Sequence, residues 1–185
     1  PDILLNPQFW AEDGRNWYAD AYNVGPWVSI FTTEAGYFQT LSRLVASFAQ
    51  MFPLGQAPLV FNLTAVLIQA GVAAFIVSDR CKTFIGSRFA RCVLALLYIV
   101  LPNAWEVHGN LTNSQWHLAL LVCLIVVTAE PVSKGARFVD LVLTTISAVS
   151  GPFCVLLFPI SCFVAWRDRS RHKILMLIII SVGCV

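Results

Sequence analysis

The chain has 185 residues, of which 58% are hydrophobic and only 12% charged, with a formal net charge of +2. That is too little polar side chain to cover a water-soluble globule, so the composition argues against an ordinary soluble enzyme and for a bilayer as solvent. The small net charge conceals a segregation: ten of the twelve Lys and Arg residues fall in three short clusters, Arg80 to Arg91, Lys134 to Arg137 and Arg167 to Lys173, with strongly apolar stretches between them.

Residues 1–56 carry Asp2, Glu12, Asp13, Asp20 and Glu34 against only Arg15 and Arg43, mixed with Trp10, Trp17, Tyr18, Tyr22 and Trp27. Such aromatics favour the headgroup layer of a membrane. Glu12-Asp13-Gly14 sets two adjacent carboxylates beside a turn-forming glycine. One is a candidate general base, with its neighbour raising its pKa by like-charge repulsion or orienting it through hydrogen bonds. A solvated Asp-Gly turn accounts for the same residues without chemistry. From Gly36 to Phe52, apolar residues such as Leu41, Leu44, Val45 and Phe48 recur at three- and four-residue spacing, with Ser42, Arg43 and Ser47 between them. This predicts an amphipathic helix closed by Pro53, lying either in the membrane interface or on the protein's own core.

Pro58 to Val77 has normal spanning length and ends at the first basic cluster. Short Lys- and Arg-rich loops stay in the cytoplasm, so this helix is expected to run from outside to inside. The next apolar runs, Cys92 to Leu101 and Trp116 to Thr128, are each shorter than the hydrocarbon core at a rise of about 1.5 Å per residue. The polar stretch Pro102 to Gln115 between them is tolerated at depth only where it lines a cavity. A helical hairpin with an extracytoplasmic tip is therefore expected. Val139 to Trp166 is broken by Ser150-Gly151-Pro152, and a second hairpin turning there returns Arg167 to Lys173 to the cytoplasmic side.

The expected fold class is all-α: a polytopic membrane protein with an extracytoplasmic loop over 1–56 and a transmembrane helical region over 57–185. The start at Pro1 lacks a signal-peptide pattern. The run Ile174 to Val185 is short for a span, so the chain reads as a piece of a larger protein. The six cysteines form no CxxC pair and read as packing residues in apolar runs.

The first hairpin tip carries the remaining polar candidates. Asn110, Asn113 and Gln115 offer donors and acceptors suited to sugar hydroxyls, and equally suited to the turn's own backbone. Glu106, His108 and His117 match no familiar metal-ligand spacing, and no metal or cofactor is expected. No Rossmann glycine fingerprint, P-loop or zinc helix is present, which leaves nucleotide chemistry unsupported. No nucleic-acid partner is expected either. The basic clusters are explained as topology signals with some anionic-lipid contact.

Pro7 to Gly14, Asn110 to His117 and the Ser150-Gly151-Pro152-Phe153 turn together resemble the opening part of bacterial integral-membrane glycosyltransferases of the type C fold. The resemblance implies a first extracytoplasmic loop with an acidic pair, mapping onto Glu12 and Asp13, and a location in the bacterial plasma membrane. It also implies a polyprenyl-phosphate-linked sugar donor and an inverting transfer to a glycan, lipid or protein acceptor. One carboxylate takes the proton of the acceptor hydroxyl, and polyprenyl phosphate departs without an obligatory metal. Arg15, Arg43, His108 and His117 are then the candidates for electrostatic help to the leaving phosphate. Two other readings stand beside this one: a transporter or lipid-linked-oligosaccharide flippase, for which broken helices are also characteristic, and a noncatalytic scaffold subunit.

Overall fold

The computed structural model describes residues 2–102, 104 and 106–184, so Pro1, Asn103, Trp105 and Val185 lie outside the described residues. The chain is all-α apart from one small two-stranded ribbon. It opens with the short helix α1 (Asp2–Leu5), a π-helical turn Asp13–Tyr18 that runs into α2 (Ala19–Asn23), and α3 (Pro26–Ser29). Strands β1 (Thr33–Glu34) and β2 (Tyr37–Phe38) pair antiparallel before α4 (Thr40–Ala49). There follow α5 (Ala57–Val77), α6 (Arg88–Ile99), α7 (Ser114–Val127), α8 (Lys134–Ala148), α9 (Cys154–Asp168) and α10 (Arg171–Val182).

The amphipathic helix begins at Thr40 and not at Gly36. Ala35 and Gly36 both take positive φ, 53° and 89°, which is the two-residue turn that matches strand twist. That turn pulls Tyr37 and Phe38 into the ribbon. The helix that remains is turned inside out. It buries Ser42, Arg43, Ala46 and Ala49, and it exposes Leu44 and Phe48, a face that Met51 and Phe52 continue beyond its end. The helix packs on the protein's own core through Ala46 and Ala49, with Leu41 and Val45 partly buried beside them, and leaves the Leu44 and Phe48 side outward.

Among the described residues one helical run, Leu54–Val77, is long and apolar enough to cross a bilayer. Helices α6 to α10 hold 12 to 15 residues, about 18 to 23 Å at the α-helical rise, against about 30 Å of hydrocarbon. They reverse direction at loop 100–113 and at 149–153, as the breaks in the sequence predict. The members of each pair are nevertheless splayed: α6 and α7 both pack on α5, while α8 and α9 both pack on α7 and α10.

The helix ends sort to two ends of the molecule. At one, Arg80 makes a two-pronged bond to Asp140 at 2.7 and 2.9 Å, and His172 reaches the same carboxylate at 3.2 Å. Lys173 donates to the carbonyls of Ile125, Val126 and Thr128, closing the C-terminus of α7, and Arg91 donates to the carbonyl of Val77 at the end of α5. At the other end, Thr40 and Leu41 bond Val149 and Ser150, and the end of α10 meets Ala148 and Cys154. The basic clusters therefore gather at one pole and the acidic opening segment at the opposite one.

Two apolar cores hold this arrangement. The larger joins α5, α7, α8, α9 and α10 through residues such as Val72, Val122, Ile125, Leu157 and Ile180. The smaller joins Trp17, Ala21, Ala46 and Ala49 of the opening segment to Ala57, Phe61 and Leu111. Asn62, the polar interruption in α5, donates to the carbonyls of Ile3 and Gln8 and so fastens the opening segment to the long helix.

Candidate functional site

At the acidic pole the opening segment and the first tip line an open cavity of about 650 Å³. Glu12 stands in its wall with Glu34 from the β1 turn and Glu106, Asn113, Gln115 and Trp116 from the first tip and α7. A second recess of about 570 Å³ adjoins it, sharing Ala11, Glu12, Asn16 and Glu34 and adding Arg15 and Asp20.

The two members of the acidic pair have separate environments. Ala11 takes a left-handed φ of 41°, an uncommon and costly conformation for a residue with a Cβ, and the following π-helical turn is itself a rare element often found at functional sites. The result leaves Glu12 exposed in the cavity wall and turns Asp13 into the protein, where none of its surface is accessible. Asp13 accepts hydrogen bonds from the amides of Leu111 and Thr112 at 3.3 and 2.9 Å and from the Thr112 hydroxyl at 2.8 Å. The indole of Trp17 donates to that same hydroxyl at 3.0 Å, completing a chain from indole to hydroxyl to carboxylate. Burial pushes the Asp13 carboxyl up to about 6, against the lowering effect of its bonds from Thr112 and Leu111. Asp13 thus clamps the first tip onto the opening segment, and Glu12 is the member free to meet a ligand.

The other sequence-predicted residues divide. Gln115 and Asn113 reach the main cavity, Asn113 also donating to the carbonyl of Glu106 at 2.6 Å. Arg15 reaches the adjoining recess. Arg43 reaches neither: it is fully buried, pairs with Asp20 at 2.9 Å and lies 5.0 Å over the Trp17 ring, so it props the opening segment and does not face a ligand. Asn110 uses its side chain on the turn itself, donating to the Glu106 carbonyl and accepting from the Asn113 amide.

His117 is buried in α7. A carbonyl can only accept, so its Nε2 donates to Val107 and its Nδ1 accepts from the Tyr98 hydroxyl. Both ring nitrogens are thereby used in fixing the tip. His108 lines a separate recess of about 290 Å³ beside Asn62 and Asn110, and burial holds its imidazole below the ordinary range.

Glu34, Thr112, Asn16 and Tyr37 also belong to the site, and local pattern did not single them out. Glu34 ends strand β1, and Thr112 sits in a run of turn formers where any one hydroxyl looks like the rest. Among the described residues no group of three or more His, Cys, Asp or Glu side chains is placed to hold a metal ion. The second tip joins the site indirectly. Gln115 Oε1 lies where a Cβ on Gly151 would stand, so only glycine allows this approach, and Trp116 packs on Phe153 with ring centroids 4.6 Å apart. Comparison with known proteins returns no match: no protein-family model fits the chain, and no curated protein or solved structure is similar to it.

Proposed function

We propose that this chain is part of a polytopic membrane glycosyltransferase that works at the extracytoplasmic face, moving a sugar from a polyprenyl-phosphate donor to an acceptor hydroxyl. The observation that carries the reading is Glu12, a carboxylate without a protein partner among the described residues, in the wall of a cavity of about 650 Å³. That volume lies in the range of small-molecule sites. Aromatic rings of Trp10, Trp116 and Tyr37 in the same wall supply flat apolar faces, and Asn16 and Asn113 supply amide donors and acceptors.

In this reading Glu12 accepts the acceptor's hydroxyl proton as the oxygen attacks the anomeric carbon. The bond from that carbon to the phosphate oxygen breaks, and polyprenyl phosphate leaves with the bonding pair. Asp13 is a positioning residue: by holding Leu111 and Thr112 it fixes the wall that Glu12 faces. Membrane embedding is supported by the outward apolar faces of α6, α9 and α10, among them Phe89, Leu97, Leu156, Phe163 and Ile178. Contiguous exposed apolar surface of this kind suits lipid and is rare on proteins in water.

The test is transfer from a radiolabelled polyprenyl-phosphate sugar by the protein in lipid vesicles. Glu12→Gln removes the proton acceptor and keeps the shape, so a loss of about 10²- to 10⁴-fold in turnover is expected. Asp13→Asn leaves Glu12 in place and is expected to retain measurable turnover. Full activity in Glu12→Gln removes Glu12 from the chemistry and with it the reading.

A further inference from the structure

The six cysteines sort by position in the fold. Cys81 and Cys92 belong to the basic pole, in the loop after α5 and the first turns of α6, and Cys123 and Cys162 lie within α7 and α9. Cys154 and Cys184 stand at the acidic pole, one opening α9 and the other just past the end of α10.

The fold brings these last two together. Helices α9 and α10 are joined by Arg169 and Ser170 and pack along each other, so the start of one and the end of the other form the open mouth of a hairpin. A Cβ on Gly183 would stand 2.8 Å from the Cys154 sulfur and 2.6 Å from the Ala148 carbonyl oxygen, so glycine lets the end of α10 close onto Cys154. Cys184 is the next residue, and its charge is near enough to act on the Cys154 thiol. The two differ in access. Cys154 is 1% exposed, with its thiol turned to the Ala148 carbonyl at 3.7 Å, whereas Cys184 is exposed beside an apolar crevice.

We infer that Cys154 and Cys184 are a disulfide-forming pair, oxidised in the compartment that the acidic pole faces. The inference rests on the proposed extracytoplasmic position of that pole, since disulfides persist in oxidising compartments and thiols in the cytoplasm. The exposed Cys184 thiolate attacks the disulfide of a carrier, an oxidised protein dithiol or oxidised glutathione, and one of the carrier's sulfurs leaves. Cys154 then loses its proton to water and attacks the Cys184 sulfur. The bond between the two cysteines forms as the carrier's second sulfur departs. The chain gives up two electrons and two protons, and the carrier's disulfide becomes two thiols. Burial keeps Cys154 from outside reagents and reserves it for Cys184. The bond ties the end of α10 to the second tip, whose Gly151 backs Gln115 in the wall of the main cavity.

The test is peptide mapping, without reductant, of the chain from sealed cells lysed into denaturant and N-ethylmaleimide. A linked peptide pair holding Cys154 and Cys184, lighter by two hydrogens than the thiol peptides, is expected, with Cys81, Cys92, Cys123 and Cys162 alkylated. Reduced protein in lipid nanodiscs is expected to form the same pair in a buffer of oxidised glutathione. Dithiothreitol should lower the unfolding temperature of the oxidised wild type by about 5 to 10 °C and leave that of Cys184→Ser unmoved. Thiols at both positions in cells and in nanodiscs overturn the inference, as does a bond from either to another cysteine or an equal response of the two chains to the reductant. A pair that oxidises in nanodiscs and stays reduced in cells overturns it too, and puts the acidic pole in the cytoplasm. The two proposals fail separately. The disulfide without any sugar transfer sinks the transferase reading and leaves the pair. Sugar transfer by a chain that keeps both thiols free sinks the pair and leaves the transferase.

Discussion

Asp13 gives up all contact with water to accept three hydrogen bonds from the first tip, and burial pushes its carboxyl up to about 6. The folded chain therefore holds that proton more tightly than the unfolded chain does. Above about pH 6 the buried charge works against folding, and this cost fades as pH falls through 6 toward the ordinary carboxylate range near 4. Its size is on the order of 3 kcal/mol. Unfolding followed in mixed micelles is expected to show the wild-type chain gaining about 2 kcal/mol of this relative to Asp13→Asn between pH 7.5 and pH 4.5. An unchanged difference between the two chains would place the Asp13 carboxyl in water. An acidic pair was legible in the sequence; its division into a clamp and a free carboxylate was not. That division depends on the left-handed Ala11 and on Thr112, which lies 99 residues away.

At the scale of helices, α6, α8 and α10 share a conflict. Each begins with cations, Arg88 and Arg91, Lys134 and Arg137, Arg171 and Lys173, at the end where the helix dipole disfavours them by a few tenths to about 1 kcal/mol each. The same three helices are started by Ser87, Ser133 and Ser170, each accepting a bond from the amide three residues on. Helix stability does not explain those cations; under the proposed membrane topology they would hold one pole of the molecule in the cytoplasm. Several are also put to structural use, as when Lys173 closes α7.

Ser133→Ala is expected to cost about 1 kcal/mol through the lost cap. Lys173→Met strands three buried carbonyls and should cost about 2 kcal/mol or more. Thermal unfolding in detergent measures both, and a smaller loss for Lys173→Met than for Ser133→Ala would contradict the capping role. The Ser150-Gly151-Pro152 break was readable because it is a local signal, whereas the serine caps were not singled out and the apolar runs from Cys92 and Val139 begin about a turn after α6 and α8 do. The splaying of the helix pairs was not readable, because which helix packs on which is decided by long-range packing. The late start of α4 was also hidden: a two-residue turn at Ala35 and Gly36 overrode an apolar period that ran straight through it.

Across the whole molecule, charge and exposed apolar surface agree. The acidic pole carries the cavity and a rim of exposed aromatics, with Trp27 78% and Phe31 77% accessible, beside the outward face of α4. The basic pole carries the three cation clusters, and between the poles lie the apolar outer faces of α6, α9 and α10. An aromatic rim, an apolar belt and a basic pole follow one another along a single axis, which matches the order in which a bilayer presents its layers. The account depends on those poles facing different compartments. Single cysteines at Glu12→Cys and Arg169→Cys, in a chain whose native cysteines are replaced by serine, test this directly in sealed cells with a membrane-impermeant maleimide. The account predicts labelling at position 12 from outside and at position 169 only after the membrane is opened. Labelling of both from the same side would contradict it.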